Sequence, residues 1–199
     1  KLPPFCKKQI INALSKLEKI MNQEFGSKIN PLLVSIRSGG RRSMPGMMDT
    51  VLNVGLTSST IKGLIKQTNN SRFSYDSYRR LIMMYADVVM NSLSKNNFSN
   101  INIRRILESK LSNYKSLHKI KNDTDLLNSD LVIIANKFQD VIKQKLRETF
   151  PNNPNEQLWG SIEAVLKSWN SKRAVEYRKI ENIPNTWGTA VNVQAMVFG

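Results

Sequence analysis

The spacing of hydrophobic residues changes along the chain between a helical period and a strand-like one. In the segment 7–22, Ile10, Leu14 and Leu17 lie three or four residues apart, which predicts an amphipathic helix. The apolar run Leu32–Ile36 is short and interrupted only by Ser35, which is typical of a buried strand. The same criteria predict helices at 59–67, 75–91, 100–117, 128–149, 155–169 and 171–180, and a last strand at 188–198.

These elements predict a mixed α/β (α+β) fold in three parts. Residues 58–154 contain only helical patterns, and Pro151 and Pro154, set among asparagines, end this block. The flanking parts, 1–57 and 155–199, each contribute strands that need a partner. We therefore expect the two flanking parts to pack together as one subdomain that carries a helical insert.

Composition and the first residue set further expectations. A hydrophobic content of 40% in 199 residues is enough for a real core. No uninterrupted apolar stretch of about 18 residues occurs, so no membrane partner is expected. Cys6 is the only cysteine, which fits a reducing compartment and argues against a zinc site. The chain starts without Met, which indicates a piece of a longer protein.

The formal net charge of +15 invites a nucleic-acid interpretation. However, the basic residues are spread over the predicted helices and are not concentrated in one patch or tail, and lysines outnumber arginines. This distribution is typical of solvated helix faces, and a phosphate-rich small ligand is enough to explain the arginines near glycines. We therefore predict no nucleic-acid partner, and the salt dependence of DNA binding would test that prediction.

The most informative segment follows the first predicted strand, where glycines and arginines are concentrated. Arg37 comes directly after the apolar run, and Gly39, Gly40, Arg41 and Gly46 follow. Glycine lets backbone amides approach an anion and arginine supplies a fixed fork of donors, so the pattern indicates a phosphate site. From spacing alone, Arg37 could equally form a structural ion pair at a strand end. No GxxxxGK[ST] pattern occurs, so the segment is not a P-loop.

Three segments carry a family resemblance: 31–56 (PLLVSIRSGGRRSMPGMMDTVLNVGL), 71–90 (SRFSYDSYRRLIMMYADVVM) and 157–199, which begins QLWGSIEAVL and ends VNVQAMVFG. Together they resemble the N-terminal nucleotide-binding domain of the pyruvate, phosphate dikinase family, which is of the ATP-grasp type. The resemblance implies a partial ATP-grasp domain with an all-helical inserted subdomain. The family's third subdomain would lie beyond Gly199.

The resemblance also implies a function. The parent enzyme would be a phosphotransferase that converts ATP, phosphate and pyruvate to AMP, diphosphate and phosphoenolpyruvate, through a phosphohistidine on a swivelling domain outside this chain. ATP and phosphate would be its ligands, and Mg²⁺ would be needed, with ligands mostly outside this chain and no metal-binding residue predicted within it. A cytoplasmic, homo-oligomeric parent is expected, and the isolated chain is expected to be inactive.

Site residues follow from the motifs and from the resemblance. Arg37 resembles the family's phosphate-contacting arginine and is a candidate both for catalysis and for ATP binding, and Arg80 resembles an arginine that contacts the partner domain or the phosphates. Asp49 could equally cap the segment that follows it. The other candidates for nucleotide binding are Arg41, Gly46, Met48, Asp49, Thr50, Arg173, Gln194, Met196 and Val197, of which the last three lie on a strand that resembles the adenine-binding hinge strand of ATP-grasp enzymes.

Three alternatives stay open or are set aside. The chain could be a helical protein-docking module without catalysis by itself. It could also belong to a phosphoenolpyruvate synthase-like enzyme, although the SMPGMMDT stretch favours the dikinase. His118, the single histidine, lies in a basic and polar helix end, so we do not expect it to carry the phosphoryl group.

Overall fold

The computed structural model describes residues 3–93 and 101–198 as eight α-helices and five strands. The predicted connector 94–100 lies outside the described residues. The helices are α1 (Pro4–Met21), α2 (Ile61–Thr68), α3 (Ser71–Tyr85), α4 (Asn91–Leu93), α5 (Ile103–Leu117), α6 (Asn128–Leu146), α7 (Pro154–Ser168) and α8 (Lys172–Ile180). The strands are β1 (Glu24–Phe25), β2 (Pro31–Leu32), β3 (Val34–Gly39), β4 (Thr50–Val54) and β5 (Ala190–Ala195).

A three-stranded antiparallel sheet in the order β4-β3-β5 joins the two ends of the chain. The first strand was predicted to stop at Ile36, but β3 continues to Gly39 because β5 pairs with it over its whole length, from Val34 opposite Ala195 to Gly39 opposite Ala190. Arg37 therefore lies inside a strand and not at its end. The mixed α/β class predicted from the pattern is confirmed.

The two faces of the sheet differ in character, because neighbouring residues in a strand point to opposite sides. Val34 and Ile36 are fully buried, and α7 packs against all three strands. Arg37 lies on the opposite face, and its cross-strand partners Thr50 on β4 and Asn192 on β5 share that face. One side of the sheet is thus apolar and covered, and the other carries polar groups.

The helical segment packs directly onto this sheet. Helix α3 contacts β4, α2 and α6, and Phe138 on α6 is fully buried. Buried hydrophobic residues from the sheet and from the helices belong to one core. Among the described residues, no helix is long and apolar enough to cross a membrane. The three-part division of the chain stays a prediction.

The helices follow their predicted positions with shifts at their ends. Helix α1 begins at Pro4 because proline is favoured in the first turn, and α3 begins earlier than predicted because the Asn70 side chain accepts a hydrogen bond from Phe73 N at 2.9 Å. A π-helical turn, Ala86–Met90, extends α3 and was not predicted. The two-residue parallel pair of β1 and β2 was also missed.

Gly63 allows α2 to lie close to the segment before β2. A Cβ atom there would come within 2.5 Å of Pro31 Cδ and 2.9 Å of the Lys28 carbonyl oxygen. We expect Gly63→Ala to lower the free energy of unfolding by about 1–3 kcal/mol through overpacking, although alanine has the higher helix propensity. Urea unfolding measures the change. Lys62→Ala, at an exposed position of the same helix, is the control and should change stability by less than about 0.5 kcal/mol. A more stable Gly63→Ala variant would contradict the close packing.

Candidate functional site

A cavity of about 490 Å³ opens where β3 leads into the loop 40–49. Its size is within the usual range for small-molecule sites. The lining combines glycine-rich backbone, two arginines, two methionines and one tryptophan. The lining residues are Arg37, Ser38, Gly39, Gly40, Arg42, Ser43, Met44, Pro45, Gly46, Met48, Thr50, Trp169 and Thr189.

Arg37 reaches the cavity from the middle of β3, between Thr50 on β4 and Asn192 on β5. Pairing on both sides fixes its backbone, and its side chain is exposed. Within 3–93 and 101–198, no ion pair involves Arg37, whereas Arg42 and Arg173 each bind a carboxylate. The structural ion pair that spacing left open is therefore not found in the described part of the chain, and the Arg37 donors remain available to a ligand.

Two glycines shape the cavity wall. A Cβ atom on Gly39 would approach Asn192 Nδ2 to 2.9 Å, so the missing side chain lets the Asn192 amide lie against the strand. Gly46 has a backbone φ of +72°, which residues other than glycine rarely adopt. Asn192 was not among the predicted site residues and does not line the cavity, but the pairing of β3 with β5 brings it beside Arg37.

The first half of the loop is attached to the segment that follows α8. Arg42 Nη2 donates to Glu181 Oε2 at 2.9 Å, and Arg42 Nη1 donates to the Glu181 carbonyl at 3.3 Å. The guanidinium of Arg41 lies over the ring of Trp187, 5.7 Å from its centroid. Arg41 is thus next to the cavity but is not among its lining residues.

The second half of the loop is attached to α7 and α8. Asp49 N donates to Ser168 Oγ at 3.1 Å, and the Asp49 carboxylate is paired with Arg173. Arg173 Nε also donates to the Met47 carbonyl at 3.0 Å. Burial raises the pKa of Asp49 above its ordinary value of 3.8, although Arg173 opposes this shift. Neither Asp49 nor Arg173 lines the cavity, while Met48 and Thr50 do.

The remaining predicted residues lie away from the cavity lining. Gln194 is exposed on the same sheet face as Arg37, opposite Ser35, and Met196 N donates to the Leu33 carbonyl at 2.8 Å. Val197 is exposed just beyond β5. Arg80 lies on α3, where its Nε donates to Asp76 Oδ2 at 2.7 Å. The adenine-binding positions and Arg80 thus stay predictions.

Two other features are alternative candidate sites, and neither combines glycine-rich backbone with an unpaired arginine among the described residues. A larger cavity of about 570 Å³ between α1 and α7 is lined by Lys7, Trp159 and Glu163 among others, and it contains no glycine of the loop. His118 stacks on the Tyr114 ring with centroids 4.3 Å apart, at the end of α5, and lines none of the described cavities near the sheet. Among the described residues, no group of three or more His, Cys, Asp or Glu could hold a metal ion.

Comparison with known proteins identifies a family model and several relatives that match the chain. The family model "Pyruvate phosphate dikinase, AMP/ATP-binding domain" matches residues 1–199. The chain is 48% identical over 192 residues to a pyruvate, phosphate dikinase of Clostridium symbiosum, covering 96% of the chain and 21% of that protein. It is 41% identical to the pyruvate, phosphate dikinase of Giardia intestinalis, over 99% of the chain and 21% of that protein. It is also 41% identical to pyruvate, phosphate dikinase 1, chloroplastic, of Oryza sativa subsp. japonica, over 100% of the chain and 20% of that protein.

The mixed α/β fold is consistent with a nucleotide-binding domain, and the matches specify the family. The chain belongs to the family of pyruvate phosphate dikinase AMP/ATP-binding domains. It spans about a fifth of the length of the curated relatives reported above.

Proposed function

We propose that the chain binds ATP in the cavity beside the loop 40–49, with the phosphates against Arg37 and the loop backbone. The observation that carries this proposal is the position of Arg37. It is held on both sides by strand pairing, it faces the cavity, and no carboxylate within the described residues neutralises it. An arginine fixed in this way stabilises charge on a phosphoryl group without losing a proton.

The other site residues divide along the sheet face. Gly46, Met48 and Thr50 would contact the phosphates or close over them, since they line the cavity. Arg41, next to the cavity, would contribute charge. Gln194 would contact the adenine, because it lies on β5 along the face that carries Arg37. Met196 and Val197 would contact it from the segment just beyond β5. These three residues would then act as the hinge strand of an ATP-grasp domain.

In the longer context of its relatives, we propose that the protein takes part in converting ATP, phosphate and pyruvate to AMP, diphosphate and phosphoenolpyruvate. The chain would supply the ATP-side step, in which Arg37 stabilises the transferring phosphoryl group and a histidine outside these residues accepts it to become a phosphohistidine. Arg80 would contact the domain that carries this histidine, because its side chain is 62% exposed on α3. The chain alone is expected to be inactive, and the parent is expected to be a homo-oligomer.

Magnesium would be supplied from outside the described residues. The loop's own carboxylate, Asp49, is already paired with Arg173, and the lining residues are arginines, glycines and neutral side chains. The lining residues that the structure describes include no carboxylate, so these groups do not fit a magnesium site, which usually includes one or two carboxylate ligands. The cytoplasmic location also stays a prediction, since the name of the Oryza sativa relative includes "chloroplastic".

Arg37→Ala tests the proposal. In the full-length protein, we expect this variant to lose about 1.5–3 kcal/mol of ATP-binding free energy, which is the usual contribution of a hydrogen bond to a charged group. Isothermal titration calorimetry with ATP and Mg²⁺ measures the loss. Arg104→Ala is the matched control, since it removes the same charge from an exposed arginine on α5.

Equal ATP affinity of Arg37→Ala and wild type would contradict the phosphate site. An absence of ATP binding in the wild type would instead favour the helical docking module, which contacts a partner domain without holding nucleotide. Equal losses in Arg37→Ala and Arg104→Ala would mean that only net charge matters.

A further inference from the structure

Two ion pairs attach helix α8 and the residue after it to the loop 40–49, one near each end of the loop. The arginine belongs to the loop in one pair and to the helix in the other. On the first flank the arginine belongs to the loop, and Arg42 binds Glu181 just past the end of the helix. On the second flank the arginine belongs to the helix, and Arg173 in its first turn binds Asp49. The helix therefore spans the loop and contacts it near both ends.

A buried arginine, Arg178, holds helix α8 in place. Arg178 on α8 is 2% exposed, and its guanidinium lies over the Trp169 ring, 4.0 Å from the centroid. Its Nε donates to Asn185 Oδ1 at 2.9 Å, and its Nη1 donates to the Trp169 carbonyl. Because Trp169 itself lines the cavity, α8 is fixed relative to the cavity wall.

Arg173 uses its donors on the loop and not on the cavity. Its Nε donates to the Met47 carbonyl at 3.0 Å and its Nη2 binds the Asp49 carboxylate. The residue between these two partners, Met48, lines the cavity, whereas Arg173 does not. The guanidinium fork holds the loop at two points that flank a lining residue.

The ion pair between Arg173 and Asp49 also changes the charge beside the cavity. Asp49 is adjacent to Thr50, which lines the cavity, so an uncompensated carboxylate there would repel the phosphates of a nucleotide. Arg173 places a positive charge against this carboxylate. The side chain of Asp49 is only 19% exposed, so solvent screens it weakly.

We propose that Arg173 is a positioning residue, which sets the conformation of the loop through Met47 and Asp49 and neutralises Asp49 without touching the nucleotide. This proposal rests on the proposed function for its effect on ATP binding. Its structural part concerns the loop alone. The two parts can therefore be tested separately.

The first test needs no nucleotide. Hydrogen exchange of the Met47, Met48 and Asp49 amides is compared in wild type, Arg173→Ala, Arg173→Lys and Lys172→Ala, using the longest natural form of the protein. We expect exchange about tenfold faster in Arg173→Ala. The exchange rate in Arg173→Lys should lie between those of wild type and Arg173→Ala, because one ammonium cannot bind both the Met47 carbonyl and the Asp49 carboxylate in the geometry of a guanidinium. Lys172→Ala, an exposed neighbour, should match wild type.

The second test separates positioning from direct contact. We expect Arg173→Ala to weaken ATP binding about tenfold in the wild-type background and by a much smaller factor in the Asp49→Ala background. If Arg173 contacted the nucleotide itself, Arg173→Ala would lower the ATP affinity by the same factor in both backgrounds. Exchange of the α5 amides, measured in the same samples, identifies any variant that has simply lost global stability, and Arg173→Lys then replaces it.

Each outcome has a distinct meaning. Faster loop exchange together with a background-dependent loss of affinity supports the positioning role. Unchanged loop exchange with an equal loss of affinity in both backgrounds overturns it in favour of direct contact. Unchanged exchange and unchanged affinity overturn it entirely. If wild type does not bind ATP, the proposed function fails, and the exchange data still decide whether Arg173 holds the loop.

Discussion

Replacing Asp76 by alanine is expected to lower the free energy of unfolding by about 3–5 kcal/mol, because it leaves a buried arginine without its main partner. Arg79 is 3% exposed. Its Nε and Nη2 donate to Asp76 Oδ1 at 3.0 Å and 2.6 Å, and its next acidic partner is Asp123, at 3.3 Å. Urea-induced unfolding followed by circular dichroism measures the loss.

The matched control is an exposed pair of the same type. Glu108→Ala breaks the ion pair with Arg104, in which both side chains are more than half exposed, and should cost less than about 1 kcal/mol. The double variant Asp76→Ala/Arg79→Met should recover part of the loss, because it no longer buries an unpaired charge. A loss for Asp76→Ala as small as that of Glu108→Ala would show that Arg79 reaches water.

Replacing Gln157 by leucine is expected to lower the free energy of unfolding by about 3 kcal/mol, because two buried backbone groups and one partly buried one lose their partner. Gln157 is fully buried near the start of α7. Its Oε1 accepts from Gly55 N at 2.9 Å, and its Nε2 donates to the carbonyls of Leu56 and Pro151 at 3.0 Å and 2.9 Å. One side chain thus ties the turn after β4 to α7. Thermal and urea unfolding both measure the effect.

Gln144→Leu is the control for this variant, since Gln144 is exposed on α6 and the change in side chain is the same. It should change stability by less than about 0.5 kcal/mol. Similar stability of the two leucine variants would mean that water replaces the Gln157 amide at all three groups, and the tie between β4 and α7 would then have little energetic weight.

Local patterns were sufficient for the helices and for the position of the loop. The spacing of Leu107, Leu111 and Tyr114, all buried on α5, repeats at helical intervals that the sequence displays directly. Arg37 was chosen as a candidate because glycines follow an apolar strand, and its role stays a prediction. Both signals lie within a few consecutive residues, where sequence and structure are closely coupled.

Contacts between distant segments could not be predicted in this way. The partners Arg42 and Glu181 are 139 residues apart, and Arg173 and Asp49 are 124 apart. Asn192 lies beside Arg37 only because β3 and β5 pair in one particular register. No local pattern specifies a register between strands this far apart, so the attachment of α8 to the loop emerged from the fold alone.

The most direct test of the nucleotide site is amide chemical-shift mapping of the ¹⁵N-labelled chain during titration with millimolar ATP and Mg²⁺. An ATP site beside the loop predicts that the largest shifts occur at Arg37, in the loop 40–49 and at Asn192. Arg37→Ala should lose these shifts, and its other resonances should stay unchanged. Shifts centred on Lys7 and Trp159, in the cavity between α1 and α7, or no shifts in the loop, would contradict it.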